Sequence, residues 1–266
     1  MKGKADSTAQ YDAMAMIKLQ LLALAVSVSS LYAKPMVART GALCAPEANQ
    51  AAAADERFVY AIGSAVVAKY DRATGLHLAV STGPAHHLNS GFLWEGRLYC
   101  AHSNFPKKPE KSEIMALNTD TMVLSTFKDF GEYRGSLTWV VRDAGHWWCN
   151  FAHYGANNAK TVLVKLDDQW REQGAWTYPP AVVRDLGKMS ISGGVWKDGR
   201  LLATGHDKRV IYRLRVPTKG DVLELVDVLP SPFPGQGIAV DPKTGGLVGI
   251  NRAQKEIVFG ELRMLP

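Results

Sequence analysis

Short apolar runs separated by turn residues recur over most of the chain after residue 56. The stretch 192–226 (SGGVWKDGRLLATGHDKRVIYRLRVPTKGDVLELV) shows this pattern most clearly. Four apolar or alternating runs follow one another, and turn residues such as Lys197-Asp198-Gly199 stand between them. Runs of this kind, bounded by Gly, Asp and Pro, are typical of β-strands joined by tight turns. The stretch therefore predicts a four-stranded antiparallel unit, such as one blade of a β-propeller.

The same unit recurs along the chain, and each repeat opens on small residues followed by large apolar ones. These openings read SGFLW at 90–94, GSLTW at 135–139, SGGVW at 192–196 and GQGIAV at 235–240. A spacing in the forties with four strands per repeat is typical of propellers. Three strands before the first complete repeat look like the second to fourth of a blade, and the last three look like a first to third. We predict an all-β fold, a single propeller of five four-stranded blades, with four blades as the second possibility.

The chain divides into three segments by composition. Residues 1–33 contain a short apolar stretch behind Lys18 and end in small residues, which is the layout of a signal peptide cleaved near Ala33. Residues 34–56 are small, polar or alanine-rich without a strand period and predict a flexible linker. Residues 57–266 carry the propeller. The signal peptide predicts a secreted or periplasmic protein with no membrane span in the mature chain.

Charge and motifs narrow the class of function. The chain has 31 Lys+Arg against 25 Asp+Glu, and the positive charge is not concentrated in one region, so we expect no nucleic-acid partner. Nucleotide-binding glycine loops, a G-x-S-x-G elbow and the H-E-x-x-H signature are all absent from the sequence. The three cysteines lack a C-x-x-C spacing, so no zinc or redox motif is present.

Candidate functional residues cluster at one predicted edge of every blade. The first two strands of a blade are antiparallel, so the start of the first and the end of the second lie on the same face. Five of the seven histidines fall at such places: His86, His87, His102, His153 and His206. We predict a polar, titratable site over the central channel, with His87, His102, His153 and His206 as acid–base groups. The predicted substrate-binding residues are Asn89, Asn104, Arg134, Tyr154, Asp207, Gln236 and Arg252.

Two alternatives remain open for these residues. The four histidines other than His86 would be the ligands if a metal is bound, so the cofactor is either none or a single divalent transition metal. Polar residues after strands also stabilise turns, and His206-Asp207 is a dipeptide that orders a β-turn in structural repeats. In that case the histidines would be spread over the rim and occupied by turn hydrogen bonds.

The segment 112–139 (SEIMALNTDTMVLSTFKDFGEYRGSLTW) resembles the plant-type glutamine cyclotransferase family. The resemblance lies in two strands, then Phe130-Gly131-Glu132, then the small-residue inner strand at 135–139. It implies a five-bladed ring and a cyclotransferase-like activity, with Glu132 as an acid–base residue facing the channel. Lactonase-like propellers are similar in architecture alone.

These observations predict an exported enzyme that acts by acid–base chemistry, of lyase, cyclising or lactone-hydrolysing type. Its substrate would be a small polar or anionic molecule or a peptide, and we expect a monomer. The alternative is a propeller module that binds a peptide or carbohydrate without catalysis. Burial distinguishes them, because a catalytic site would recess the histidines and shift their titration, whereas a binding module would present an open aromatic platform.

Overall fold

Five four-stranded antiparallel sheets make up the part of the chain that the structure, a computed structural model, describes, which is residues 34–264. The prediction of an all-β, five-bladed propeller is confirmed. From inner to outer strand, the first blade comprises β2 (Ala51–Ala54), β3 (Phe58–Ile62), β4 (Val67–Asp71) and β5 (His77–Val80). The second comprises β6 (Leu88–Trp94), β7 (Arg97–Ser103), β8 (Ser112–Asn118) and β9 (Val123–Gly131).

The remaining blades follow in chain order. The third comprises β10 (Ser136–Asp143), β11 (His146–Ala152), β12 (Val162–Leu166) and β13 (Glu172–Thr177). The fourth comprises β14 (Gly193–Lys197), β15 (Arg200–Thr204), β16 (Val210–Arg215) and β17 (Glu224–Pro230). The fifth comprises β18 (Ala239–Val240), β19 (Leu247–Asn251), β20 (Glu256–Met264) and β1 (Pro35–Cys44).

Within the described part of the chain, two short helices interrupt the strands. A 3₁₀ helix (Gly155–Lys160) follows β11, and an α-helix, α1 (Pro180–Leu186), lies between the third and fourth blades. The helix begins on Pro180, whose fixed φ suits the first helical turn, and ends at Gly187 with φ of 64°. Within residues 34–264, no helix is long and apolar enough to cross a membrane.

The ring closes through the segment for which a flexible linker was predicted. That prediction was wrong for 35–44 and 51–54, because β1 is the outer strand of the fifth blade and β2 is the inner strand of the first. The N-terminal blade thus gains the first strand that it lacked in the sequence analysis, and the C-terminal blade gains its fourth. β1 pairs with the edge that β20 would otherwise expose. The predicted signal peptide, residues 1–33, lies outside the described residues.

Two arginines join the first and fifth blades at opposite faces of the disc. Arg72, in the turn after β4, donates from Nη1 and Nη2 to the two carboxylate oxygens of Asp241, at 2.6 Å each. Burial alone would raise the pKa of Asp241, but Arg72 and Thr244 hold it below its usual value. Arg252, on the other face, donates from Nε to the carbonyl oxygen of Asn49 at 2.7 Å. Polar side-chain contacts therefore join the first and fifth blades, in addition to the strand β1 that completes the fifth blade.

Small residues at the start of the inner strands fit a crowded axis. The four alanines of β2 are all buried, and a Cβ added at Gly237 would lie 2.5 Å from the Cβ of Ala51. A Cβ added at Gly194 would lie 2.5 Å from the ring of the fully buried Trp139. Sterics at these positions therefore account for the small-residue openings of the repeats.

The core lies between the blades and is rich in aromatic side chains on one side of the ring. Between the second and third blades, Trp147 stacks on Trp170 with ring centroids 5.0 Å apart and makes an edge contact with Trp94 at 5.5 Å. Cys100 and Cys149 lie on the second strands of these blades, free and fully buried, and burial raises the pKa of the Cys100 thiol to about 12. They are core residues and not a disulfide.

Candidate functional site at the channel mouth

A cavity of about 330 Å³ lies where the inner strands of the blades begin. Its lining comes from all five blades, as the antiparallel pairing of their first two strands predicts. The residues that line it are Gln50, His87, Asn89, Phe105, Thr138, Tyr154, Lys188, Met189, Ser192, His206, Gln236 and Arg252. Six of the predicted site residues are thus brought together here, and no carboxylate is among the lining residues.

His87 and His206 are both partly buried in this cavity, and the pKa of His87 is shifted. Burial lowers its pKa, and the positive charges of His102 and Arg252 lower it further. Its ring packs 5.6 Å from that of Phe105. The imidazole is therefore neutral at pH 7 and able to accept a proton, since histidine ordinarily titrates near 6.5.

Arg252 supplies a fixed positive charge to the same cavity. Besides the bond to Asn49, its Nη2 donates to the Oε1 atom of Gln50 at 3.4 Å. Burial lowers the pKa of Arg252, and the nearby carboxylate of Asp207 acts in the opposite direction. A guanidinium stays protonated in proteins, so a half-buried one without a carboxylate partner among residues 34–264 favours an anionic ligand.

One wall of the cavity is aromatic. The rings of Phe105 and Tyr154 lie 5.0 Å apart. Burial raises the pKa of Tyr154 to about 12, and the charge of Glu110 contributes in the same direction. The phenol therefore remains a hydrogen-bond donor over the whole physiological range.

A buried hydrogen-bond chain holds Thr138 in place at the floor. Its hydroxyl donates to the carbonyl oxygen of Ile191 at 2.8 Å and accepts from Nδ2 of Asn150 at 2.8 Å. The Oδ1 atom of Asn150 accepts in turn from the hydroxyl of Tyr178 at 2.8 Å. The chain ties the third blade to the loop that enters the fourth, so the floor is rigid.

The amides of Asn89 and Gln236 are used within the protein. Asn89 Nδ2 donates to the carbonyl oxygen of Leu137 at 3.0 Å, and Gln236 Nε2 donates to that of His206 at 2.7 Å. Gln236 also adopts a φ of 69°, a left-handed conformation that is uncommon outside glycine. His206 in turn places Nδ1 2.7 Å from Oδ2 of the exposed Asp207. These residues shape the rim of the cavity.

His102 does not reach the mouth, contrary to the prediction. Its Nε2 accepts a hydrogen bond from the backbone N–H of His86 at 3.1 Å, and its Nδ1 lies 3.2 Å from Oε2 of Glu113. Burial lowers the pKa of His102, although Glu113 acts to raise it. Both ring nitrogens are occupied, so His102 orders the loop before β6. Asn104 likewise orders the loop that follows, accepting from the backbone N–H of Lys111 at 2.8 Å.

His153, Arg134 and Glu132 lie together in a separate open groove. His153 donates from Nε2 to the carbonyl oxygen of Arg134 at 2.9 Å. Arg134 is paired with Glu172 at 2.8 Å, so it is not available as the predicted anion clamp. Glu132 is exposed and does not line the mouth cavity, which corrects the channel-facing position that the family resemblance implies.

The four histidines considered as metal ligands do not converge. Only His87 and His206 line the mouth, while His102 and His153 are held elsewhere by the contacts above. Over residues 34–264, no group of three or more His, Cys, Asp or Glu side chains is placed to hold a metal ion.

Sequence reasoning missed half of the lining. Gln50 stands directly before the inner strand β2, just as Gln236 stands before Gly237, and stacking it with the other openings would have found it. Gln50 was not considered, because residues 34–56 were predicted to be a flexible linker. Lys188 and Met189 follow α1, and no residue pattern in the sequence indicates that the loop after this helix folds over the mouth.

Comparison with solved structures finds the same fold in the crystal structure of glutaminyl cyclase from Myxococcus xanthus. The TM-score is 0.61 at 10% identity, over 87% of this chain and 98% of that chain. A chain of the mitotic checkpoint complex matches at a TM-score of 0.45 and 9% identity, over 78% of this chain and 74% of that one, which is too low to show a common fold. No family model and no curated protein matches the sequence.

Proposed function

We propose that the protein is an enzyme that acts on a small anionic molecule by acid–base chemistry at the channel mouth. One observation carries the proposal: a neutral, recessed histidine and a half-buried arginine share a cavity with no carboxylate in its lining. A recessed histidine with a shifted pKa favours catalysis over simple binding.

The residues divide the chemistry among them. Arg252 and Lys188 would hold the anionic group of the substrate, since a guanidinium pairs with a carboxylate through two parallel hydrogen bonds. His87 would accept the proton of the attacking group, an amine or a water molecule, as the new bond to a carbonyl carbon forms. Tyr154, a phenol that stays protonated, would donate to the carbonyl oxygen as negative charge develops on it.

The fold neighbour suggests which substrates to test first. In a glutaminyl cyclisation the amino nitrogen attacks the side-chain amide carbon, and ammonia leaves with the proton that the base has taken. Small lactones, in which water attacks the ring carbonyl, are the second group. Both reactions need a base and an oxyanion donor, and both are compatible with a substrate that also carries a carboxylate.

The test compares His87→Gln and Arg252→Gln with the unchanged protein on these two groups of substrates. We expect His87→Gln to lower kcat by about 100-fold or more with little change in the substrate Kd, because a general base contributes on the order of 10²–10⁴. Arg252→Gln should raise KM instead, since it removes an anion contact.

Matched controls are His86→Gln and Arg209→Gln, which change the same residue types on exposed positions outside the cavity lining. Full activity of His87→Gln would contradict the proposal. Tight binding of these molecules without turnover would support the alternative, a non-catalytic binding module.

A further inference from the structure

A second cavity lies between the fourth and fifth blades, on the side of the disc opposite the mouth. Its volume is about 280 Å³. The floor consists of Val37, Leu202, Leu229 and Leu247, which are at most 7% exposed. The turn between β14 and β15 forms one part of the rim, and the half-exposed Leu262 forms another. Buried apolar side chains thus form the floor of a cavity that is open to solvent at its rim.

The rim carries three cations, and one of them has no carboxylate partner. Arg213 donates from Nε to Asp227 at 2.8 Å, and the Nζ atom of Lys197 lies 3.4 Å from Oδ2 of Asp198. The side-chain contact of Arg200 is a bond from Nη1 to the carbonyl oxygen of Gly199 at 3.4 Å. Among residues 34–264, no carboxylate forms an ion pair with Arg200. A guanidinium that forms no ion pair therefore stands at the entrance of a cavity with an apolar floor.

We propose that this cavity binds a small amphipathic carboxylate, an unbranched hydrocarbon chain ending in a carboxyl group. The chain would cover the leucine floor, and the carboxylate would pair with the guanidinium of Arg200. At roughly 30 Å³ for each water molecule in the liquid, the volume equals that of about nine waters, so a ligand of about ten non-hydrogen atoms fits. Octanoate has this size.

This site is independent of the function proposed for the mouth. It uses no residue of the mouth cavity, and its floor is made of buried aliphatic side chains, whereas the residues that line the mouth include no Val, Leu or Ile. A ligand of the mouth needs several polar contacts, whereas a ligand here gains mainly from hydrocarbon burial. The two sites therefore respond to different changes in a ligand.

The test is isothermal titration of the purified protein with octanoate, hexanoate and 1-octanol. Each buried methylene should lower Kd about fourfold, so octanoate, with two more methylenes, should bind roughly 15-fold more tightly than hexanoate. Arg200→Gln should weaken octanoate about tenfold and leave 1-octanol unchanged. Leu262→Asp should weaken octanoate as well, because it places a negative charge at the exposed rim.

Two controls separate this site from other cationic positions. Arg97→Gln alters the arginine at the same place in the β6–β7 hairpin of the second blade, and Arg252→Gln alters the mouth. Neither should change the Kd of octanoate. The proposal fails if octanoate does not bind, if octanoate and 1-octanol bind equally to every variant, or if Arg252→Gln weakens octanoate and Arg200→Gln does not.

Discussion

At the scale of single residues, the availability of ring nitrogens decides which histidines can take part in chemistry. His87 keeps its ring within the cavity, whereas His102 uses both nitrogens for Glu113 and the backbone of His86. His153 uses Nε2 for a backbone carbonyl. His87 precedes a first strand, whereas His102 and His153 lie at the ends of second strands, and the sequence places all three on the same face. Only the contacts of each side chain separate a candidate base from a loop-ordering residue.

His87 and His102 predict a loss of stability on mild acidification. Burial lowers the pKa of both, so between the lowered values and about 6.5 the unfolded chain binds more protons than the folded one. The free energy of unfolding should therefore fall as the pH drops from 7.5 to 5.5, by about 1.4 kcal/mol for each unit of pKa depression once the pH lies below the lowered value. Urea denaturation at the two pH values measures this.

Carboxylates such as Asp241, whose pKa lies below the usual carboxyl range, titrate at lower pH and do not contribute in this window. His102→Gln should reduce the pH dependence, because it removes one of the two groups whose pKa burial lowers. Stability that stays constant or rises toward pH 5.5 would disprove the assignment.

At the scale of the elements, small residues set how closely the inner strands approach the axis. Gly194 on β14 faces the ring of Trp139 on β10, and Gly237, before β18, faces Ala51 on β2. Each contact joins neighbouring blades, so the strand openings determine how the blades pack.

Gly194→Ala should destabilise the protein by about 1–3 kcal/mol, the usual effect of overpacking a filled core. The added Cβ would lie 2.5 Å from the Trp139 ring, which has no room to move because it is fully buried. Gly41→Ala on the outer strand β1 is the control, since there the Cβ would lie 3.8 Å from the nearest atom, in Phe259. Thermal unfolding of both variants decides the matter, and equal midpoints would contradict the packing argument.

The strands that sequence patterns predicted are those with strong apolar alternation and turn residues on both sides. The sequence patterns did not predict β2, because four consecutive alanines show neither alternation nor strand propensity. Alanine is nevertheless small enough for the crowded axis. β1 escaped because its pairing partner lies at the far end of the chain. Half of the site was predicted. Gln50 was missed because it precedes β2, which the patterns did not show. The direction of a side chain such as His102 depends on contacts that an alignment of the repeats does not contain.

At the scale of the whole molecule, polar contacts on both faces of the disc and one strand close the ring. Arg72 and Asp241 join the first and fifth blades at one face, and Arg252 joins them to Asn49 at the other. Because Arg252 also lines the mouth, the candidate site includes the closure itself. A ligand that binds Arg252 would therefore contact a residue that also joins the first and fifth blades.

Arg72→Gln should destabilise the protein by about 3–5 kcal/mol, because it leaves the carboxylate of Asp241 buried without its partner. The side chain of Asp241 is only 1% exposed, so water cannot replace the lost contact. Arg171→Gln breaks an ion pair in which the arginine is 72% exposed and should change stability by less than about 1 kcal/mol. Chemical denaturation of the two variants provides the comparison, and a similar small loss in both would show that closure does not depend on the buried pair.

The placement of β1 beside β20 has a consequence for the order in which the molecule is assembled. Arg39 and Glu256, paired across these strands, are 217 positions apart. At roughly 5–20 residues per second, a ribosome needs on the order of 10–40 s to synthesise the intervening chain. For that time the first strand has no partner, and the fifth blade cannot exist. Four blades can form during synthesis, but the ring closes only after the last strand has left the ribosome, and until then β1 is an unpaired strand open to the wrong neighbour.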